Sequence, residues 1–227
     1  MAAQIFSQNP AFVLCGGDQI HGIVTIDGSL TPLPDQYTQW KTAMNMSTGP
    51  ILDISYPVRG NHETYGEVNT PGPDYAKYWT ENIANILTQI PKNGPPNEVG
   101  MTYSFRWNNP LNNALIIGLD EDNVTAPQQV NQTWLNAQMQ ANNLPFTFVY
   151  GHYPAFGLGN EANYLSDHPA ARDAFWKSLG DNSVNIYFCG HEHFYNRAEV
   201  AINGGPEIQQ ILVGTGGAPL DPWKISR

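Results

Sequence analysis

Short apolar runs that end near a glycine or a charged residue alternate along the chain with segments of helical spacing. The apolar runs predict strands at 11–17, 54–60, 101–107, 114–120, 146–151, 185–190 and 208–214. Helix-start signals and residues spaced three or four apart predict helices at 2–8, 35–46, 74–89, 125–141 and 168–179. This alternation indicates an α/β fold, in which ligands gather beyond the carboxyl ends of strands.

The composition narrows the classes of function that the chain can serve. The 227 residues carry a net charge of -10, and only 13% of them are charged. A surface this acidic repels nucleic acid backbones, so we predict no nucleic-acid partner. No apolar run reaches the roughly 18 residues that a membrane span needs, so we also predict no such span. The length is typical of one large domain, and we interpret 1–227 as a single domain.

Two further features bear on the compartment and on cross-linking. The low lysine content and the glycosylation sequons at Asn45, Asn123 and Asn131 favour a secreted or periplasmic location. Other compartments stay open as alternatives. The two cysteines, Cys15 and Cys189, are too few for a disulfide framework, and each ends an apolar run. We predict buried thiols, while convergence of the two strand ends leaves a bridge between them as the alternative.

Metal-capable side chains follow four of the predicted strands. The four motifs are Gly16-Gly17-Asp18, Gly60-Asn61-His62-Glu63, Gly151-His152 and Gly190-His191-Glu192-His193. The glycine at the start of each motif lets the chain turn sharply, so that the side chains can approach one point. The sequence therefore predicts a site assembled from four loops.

These residue types suit a pair of metal ions that act on a phosphate ester. Two cations neutralise the phosphate and generate a hydroxide at neutral pH. The Asp18 carboxylate can bridge two ions, and the imidazoles of His152, His191 and His193 are candidate ligands. Asn61 adds an amide oxygen without adding negative charge. Mixed nitrogen and oxygen ligands of this kind suit manganese, iron and zinc alike.

His62 is the candidate general acid. It directly follows one proposed ligand, and a histidine held beside the metals can protonate the leaving oxygen. Glu63 is its candidate orienting carboxylate, because carboxylates commonly orient imidazoles.

The four motifs, in this order, resemble the calcineurin-like metallophosphoesterase family over 15–217. The resemblance implies a β-sandwich flanked by helices and the hydrolysis of a small-molecule phosphomonoester or phosphodiester by a metal-bound hydroxide. It implies two transition-metal ions, manganese, iron or zinc. It also implies that Asp18 bridges them, that Asn61, His152 and His191 bind the second ion and His193 the first, and that His62 is the acid.

One motif of the family is absent from this sequence. The family opens with a strand that ends in Asp-x-His, and no Asp-x-His occurs in the chain. We therefore expect the first strand to be missing and the domain to be incomplete at its N-terminus and at its C-terminus. The alternatives are a fragment of a longer protein, a strand supplied by another chain, and a short form with one occupied site. A short form could be a metal-binding remnant or a binding module rather than an enzyme.

His21 is a candidate replacement for the missing ligands. It lies three positions after Asp18, where purple acid phosphatases carry a metal-binding tyrosine. The alternative is that His21 only lines the cleft.

Overall fold

The computed structural model describes residues 2–22, 33–45, 51–64, 75–109, 112–123, 126–158, 164–184 and 186–221. The helices are α1 (Ala2–Ser7), α2 (Leu33–Asn45), α3 (Tyr75–Trp79), α4 (Gln132–Gln140) and α5 (Pro169–Asp181). The strands are β1 (Val13–Cys15), β2 (Ser55–Pro57), β3 (Tyr103–Trp107), β4 (Ala114–Gly118), β5 (Asp122–Asn123), β6 (Ala126–Pro127), β7 (Phe146–Tyr150), β8 (Ile186–Cys189), β9 (Tyr195–Val200) and β10 (Ile208–Val213).

The main sheet has six strands in the order β3-β4-β7-β8-β10-β9. Its four inner strands are parallel to one another, whereas β3 and β9 pair antiparallel at the two edges. Parallel strands are covered on both faces and read as continuous apolar runs, as the fully buried β4 does. The predicted α/β class is confirmed.

A second, smaller sheet packs on one face of the main sheet. It consists of β1 and β2, which run parallel. The Tyr103 and Tyr150 hydroxyls of the main sheet donate to the carbonyls of Pro57 (2.7 Å) and Tyr56 (2.9 Å) in this pair. The ring of Tyr56 also stacks on Phe105 with the centroids 3.9 Å apart. The two sheets thus form the layered arrangement that the resemblance implies.

Helices cover the rest of both faces of the main sheet. One apolar core lies between the sheet and the helices α4 and α5, and includes Leu135, Trp176 and Leu179. The other core lies on the face of the β1–β2 pair, where Tyr37 of α2 and Trp79 of α3 are fully buried. The carboxyl ends of the parallel strands are left as the edge where loops gather.

The helix predicted over 74–89 is shorter in the structure. A turn of π-helix, Thr80–Ala84, follows α3, and 85–90 form turns. The Thr80 hydroxyl and the Asn82 amide bond to carbonyls four residues earlier, at 2.7 and 2.9 Å. Side chains that bond to the preceding turn compete with the backbone ladder, which disfavours a longer helix.

The helix predicted over 125–141 also starts later. Asn131 caps α4, and its side-chain oxygen accepts from the Trp134 N–H at 3.2 Å. The preceding β6 pairs with β5 instead of continuing the helix.

Strand β9 was not predicted. Its charged residues Arg197 and Glu199 obscure the strand pattern, and edge strands commonly carry such residues because they discourage pairing with other chains.

Two predictions concern the chain as a whole. None of the helices that the structure describes has the length and apolar composition needed to cross a membrane. Cys15 and Cys189 are both free thiols, as predicted, and Cys189 is buried whereas Cys15 is half-buried. Burial raises the pKa of the Cys15 thiol to about 12 and that of Cys189 well above its usual range.

Candidate metal centre

The ends of two pairs of parallel strands, one pair in each sheet, bring the four motifs together. Asp18 follows β1 and Asn61 follows β2, while His152 follows β7 and His191 follows β8. Because paired parallel strands end at the same edge of a sheet, side chains just beyond them become neighbours. The two sheets meet at this edge, where the His152 Nδ1 lies 2.7 Å from the Gly16 carbonyl oxygen.

Four potential ligand atoms surround one point. The Nε2 of His152 lies 2.8 Å from Asn61 Oδ1, 3.1 Å from His191 Nδ1 and 3.3 Å from Asp18 Oδ2. His191 Nδ1 lies 3.0 Å from Asn61 Oδ1. The ligating atoms of Asp18, His152 and His191 all fall within 4.8 Å of one another.

The tautomer of His152 directs a lone pair at this point. A carbonyl oxygen can only accept, so the 2.7 Å contact with Gly16 assigns the proton of a neutral His152 to Nδ1. Nε2 then presents its lone pair to Asn61 Oδ1 and Asp18 Oδ2. Lone pairs that face one another are repulsive until a cation lies between them, so the donor set fits a metal ion.

The spacing of the donors fits an ion as well. Ligand atoms about 2.1 Å from a shared ion stand about 3.0 Å apart at adjacent octahedral corners and about 3.4 Å apart at tetrahedral corners. Four of the six separations between the donor atoms run from 2.8 to 3.3 Å, and that between Asp18 and His191 is within 4.8 Å. Two imidazoles, an amide and a carboxylate are a ligand set for a transition metal rather than for calcium.

Glu63 fixes the backbone of two motifs. Its fully buried carboxylate accepts from the N–H groups of Asp18 (2.9 Å), Ile20 (3.0 Å) and Gly60 (2.7 Å). Burial, and secondarily the charge of Asp18, raise the pKa of the Glu63 carboxyl to about 8. The sequence predicts that Glu63 orients His62. These bonds indicate a different role, because both Glu63 oxygens accept from backbone N–H groups.

His62 takes its orientation from the backbone of His21. The His62 Nδ1 lies 3.0 Å from the His21 carbonyl oxygen, so this nitrogen carries a proton. The other ring nitrogen, Nε2, faces Asp18, with 3.9 Å between it and Oδ2. His21 itself is exposed, and its ring centroid lies 5.5 Å from that of His62.

The structure does not bring His193 into the group formed by Asp18, His152 and His191. The backbone N–H of His193 donates to Asp221 Oδ2 at 2.8 Å, and its Nδ1 lies 3.8 Å from Asp221 Oδ1. Its role as a ligand of the other ion stays a prediction.

Several residues of the centre carried no signal in the sequence. The Tyr153 ring packs edge-on against His152 and His191, with centroids 5.1 and 4.9 Å away. Tyr164 packs against His191 from another side, at 5.6 Å, and its hydroxyl donates to Glu192 Oε1 at 2.9 Å. Only the adjacency of Tyr153 to the Gly-His motif could have indicated its place.

Two of the candidate ligand residues adopt the left-handed backbone region. Asp18 has φ 56° and His191 has φ 71°. Residues other than glycine rarely adopt this region, at a cost of about 1–3 kcal/mol each, and they cluster at functional sites. The strain here turns both side chains toward the common point.

Arg59 forms a buried ion pair next to the centre. Its Nε and Nη2 donate to Asp120 Oδ1 (3.2 Å) and Oδ2 (2.6 Å), and the two side chains are 3% and 0% exposed. The pair joins the residue before Gly60 to the loop after β4, so this arginine holds two loops of the centre together.

The sequence matches the model of a known protein family over most of its length. The model described as calcineurin-like phosphoesterase matches residues 2–195. The chain belongs to the calcineurin-like phosphoesterase family. Members of this family are metal-dependent phosphoester hydrolases, and the family assignment confirms the resemblance seen in the four motifs.

Solved structures share the fold of this calcineurin-like phosphoesterase. A structure of PhoD matches with a TM-score of 0.62 at 10% identity, over 93% of this chain and 52% of PhoD. The purple acid phosphatase PPD1 from yellow lupin seeds (Lupinus luteus) matches with a TM-score of 0.60 at 14% identity, over 100% of this chain and 41% of its own. GAP50, the anchor in the inner membrane complex of Plasmodium, matches with a TM-score of 0.52 at 14% identity, over 95% of this chain and 64% of GAP50.

At these identities the matches carry the fold and no residue roles. The chain spans about half the length of the first two structures, 52% and 41%. None of the curated protein sequences matches the chain significantly.

Proposed function

We propose that this chain hydrolyses small phosphate esters with transition-metal ions held at the strand ends, manganese, iron or zinc. The observation that carries the proposal is the convergence of donor atoms on His152, whose Nε2 lies 2.8–3.3 Å from atoms of Asn61, His191 and Asp18. When bound, the metal ions neutralise the phosphate and lower the pKa of a water that attacks phosphorus. The membership in a phosphoesterase family supports the same reaction class.

His62 is the proposed general acid. Its Nδ1–H donates to the His21 carbonyl, which leaves Nε2 turned toward Asp18 and the place of the substrate. In the protonated ring, Nε2–H can pass its proton to the leaving oxygen as the ester bond breaks. The hydrogen bond at Nδ1 fixes the ring plane, so the proton is presented in one direction.

Hydrolysis of two aryl esters tests this proposal. We expect Mn²⁺-dependent release of p-nitrophenol from p-nitrophenyl phosphate, or from bis(p-nitrophenyl) phosphate if diesters are preferred. The His62→Ala variant should lose about 10²–10⁴-fold in kcat, the usual contribution of a general acid, with its metal content unchanged. His168→Ala is the matched control, because His168 lies at the start of α5 and makes no side-chain cap there.

Two outcomes would contradict the proposal. Turnover of neither ester in the metal-loaded protein would argue against phosphoester hydrolysis. Equal losses of metal and turnover in His62→Ala would make His62 a ligand instead of an acid.

A second candidate function is a metal-binding protein without turnover. It is favoured by His193, which lies outside the group that the described residues form, so that this group supplies donors for one ion. Metal content after loading with excess Mn²⁺ or Zn²⁺ and desalting separates the candidates. Two ions per chain support the hydrolase, with His193 and His21 as the proposed ligands of the second ion. One ion without turnover supports the binding protein.

A further inference from the structure

A buried carboxylate outside the four motifs supports the loop that carries His152. Glu121 follows β4, the neighbour of β7 in the main sheet, and is 1% exposed. Its Oε2 accepts from the backbone N–H groups of His152 (2.8 Å) and Tyr153 (2.7 Å). Its Oε1 accepts from the Tyr187 hydroxyl at 2.5 Å. One side chain thus fixes two consecutive peptide groups of the loop.

The fit between Glu121 and this loop is close. A Cβ atom added at Gly151 would lie 2.3 Å from Glu121 Oε1 and 2.5 Å from its Cδ. Contacts that short do not occur between real atoms, so the carboxylate can reach its donors only because residue 151 is glycine. Gly151 of the Gly-His motif therefore allows the close contact with the Glu121 carboxylate as well as the turn of the chain.

The position of the His152 ring depends on this support. Its Nδ1 is held by Gly16, across the junction of the sheets, while its Nε2 faces Asn61. The ring is anchored to the other sheet at one end, and its backbone is anchored by Glu121 at the other. Loss of either anchor would let Nε2 move away from the remaining donors.

We propose that Glu121 is a positioning residue of the metal centre, which holds the His152 backbone so that Nε2 meets the metal ion. This inference rests on the proposed metal site but does not require that the chain be catalytic. Outer partners that hold a ligand in place typically contribute about 10–100-fold to metal affinity.

The test is the affinity of the full chain for Mn²⁺, measured by calorimetric titration of the metal-stripped protein. Glu121→Gln keeps an oxygen for the two backbone N–H groups, and its amide can donate to the Tyr187 oxygen. We expect affinity within about threefold of the unmodified chain, since the hydrogen bonds that orient the ligand persist. Glu121→Asp is one methylene shorter and cannot reach both sides, so we expect about a 10-fold or greater loss.

Glu98 provides the matched control. It is 3% exposed and accepts from the Thr102 hydroxyl (2.6 Å) and from the side chains of Asn123 (3.0 Å) and Asn131 (3.3 Å), not from a ligand loop. Glu98→Asp should lower the melting temperature without lowering the affinity for Mn²⁺. Glu121→Ala extends the series, and the milder Glu121→Asp carries the test if the alanine variant does not fold.

The outcomes separate this inference from the proposed function. Unchanged Mn²⁺ affinity in folded Glu121→Asp would overturn the positioning role, as would an equal loss in Glu98→Asp. A loss in Glu121→Gln as large as that in Glu121→Asp would also overturn it, because charge and not hydrogen-bond geometry would then be the requirement. If the unmodified chain binds Mn²⁺ but cleaves neither aryl ester, the hydrolase proposal fails while this comparison stands.

Discussion

Gly60 lies where the Asp18 carboxylate and the His152 ring come closest to the backbone. A Cβ atom at this position would lie 2.2 Å from Asp18 Oδ1 and 2.7 Å from His152 Cε1. Both neighbours are proposed ligand residues held by further bonds, so they cannot yield without leaving the proposed metal position. We expect Gly60→Ala to lower Mn²⁺ affinity by at least about 100-fold, the upper range for losing the orientation of a ligand. Calorimetric titration of the folded variant measures this loss.

The control for this prediction is Gly216→Ala. A Cβ atom at Gly216 meets nothing within 4 Å. This variant should bind Mn²⁺ as the unmodified chain does. Wild-type affinity in Gly60→Ala would show that the Asp18 and His152 side chains do not need their present positions.

For single residues, the sequence predicts the candidate metal ligands better than it predicts the side chains that hold those ligands in place. Asp18, Asn61, His152 and His191 are recognisable because each follows an apolar run and a glycine, and the structure gathers all four. The tasks of Glu63 and Glu121 depend on backbone donors 45 and 31 positions away. Nothing in the residues beside a glutamate indicates which distant peptide groups it will meet.

Among the elements, α4 depends on one side chain at its first turn. Asn131 accepts from the Trp134 N–H at 3.2 Å and donates to Glu98 Oε1 at 3.3 Å. Replacing a helix-capping asparagine by alanine typically lowers stability by about 0.5–2 kcal/mol, because a backbone N–H loses its partner. We expect Asn131→Ala to lower the free energy of unfolding by about 1 kcal/mol in urea titrations.

Asn131→Ser separates the cap from the contact with Glu98. Serine is also a preferred cap, so this variant should recover most of the lost stability although its shorter side chain gives up the bond to Glu98. If serine and alanine are equally destabilising, the bond to Glu98 and not the cap accounts for the effect. Neither variant should alter Mn²⁺ affinity, because α4 carries no ligand.

The inner strands of the main sheet are the predictable elements. All four coincide with predicted apolar runs, and the most uniformly apolar of them, β4, is buried at every position. The edge strand β9 and the π-helical turn Thr80–Ala84 were missed. Solvent contact in one case, and local side-chain bonds in the other, decide these conformations. The sequence also predicts that two long loops, 64–73 and 155–166, line the site. Positions 65–73 and 159–163 of these loops lie outside the described residues.

At the scale of the whole molecule, the negative net charge of the chain and the proposed binding of an anionic phosphate ester at the strand ends oppose each other. Its net charge of -10 opposes an anionic substrate, and metal ions at the strand ends would reverse the field there. The ligands come from distant parts of the chain: Asn61 lies 91 positions from His152 and 130 positions from His191. A metal ion held by these residues would join both sheets and bridge segments that separate completely on unfolding.

This arrangement predicts that metal binding stabilises the whole fold. An ion that binds only the native state adds about 2.7 kcal/mol when its free concentration is 100 times its Kd. For a chain of this size, that energy corresponds to a rise of roughly 5–11 °C in melting temperature. Thermal unfolding with Mn²⁺ and with a chelator measures the shift, and Asp18→Ala should abolish most of it. An equal shift in Asp18→Ala would mean that the stabilising ion binds away from the strand ends.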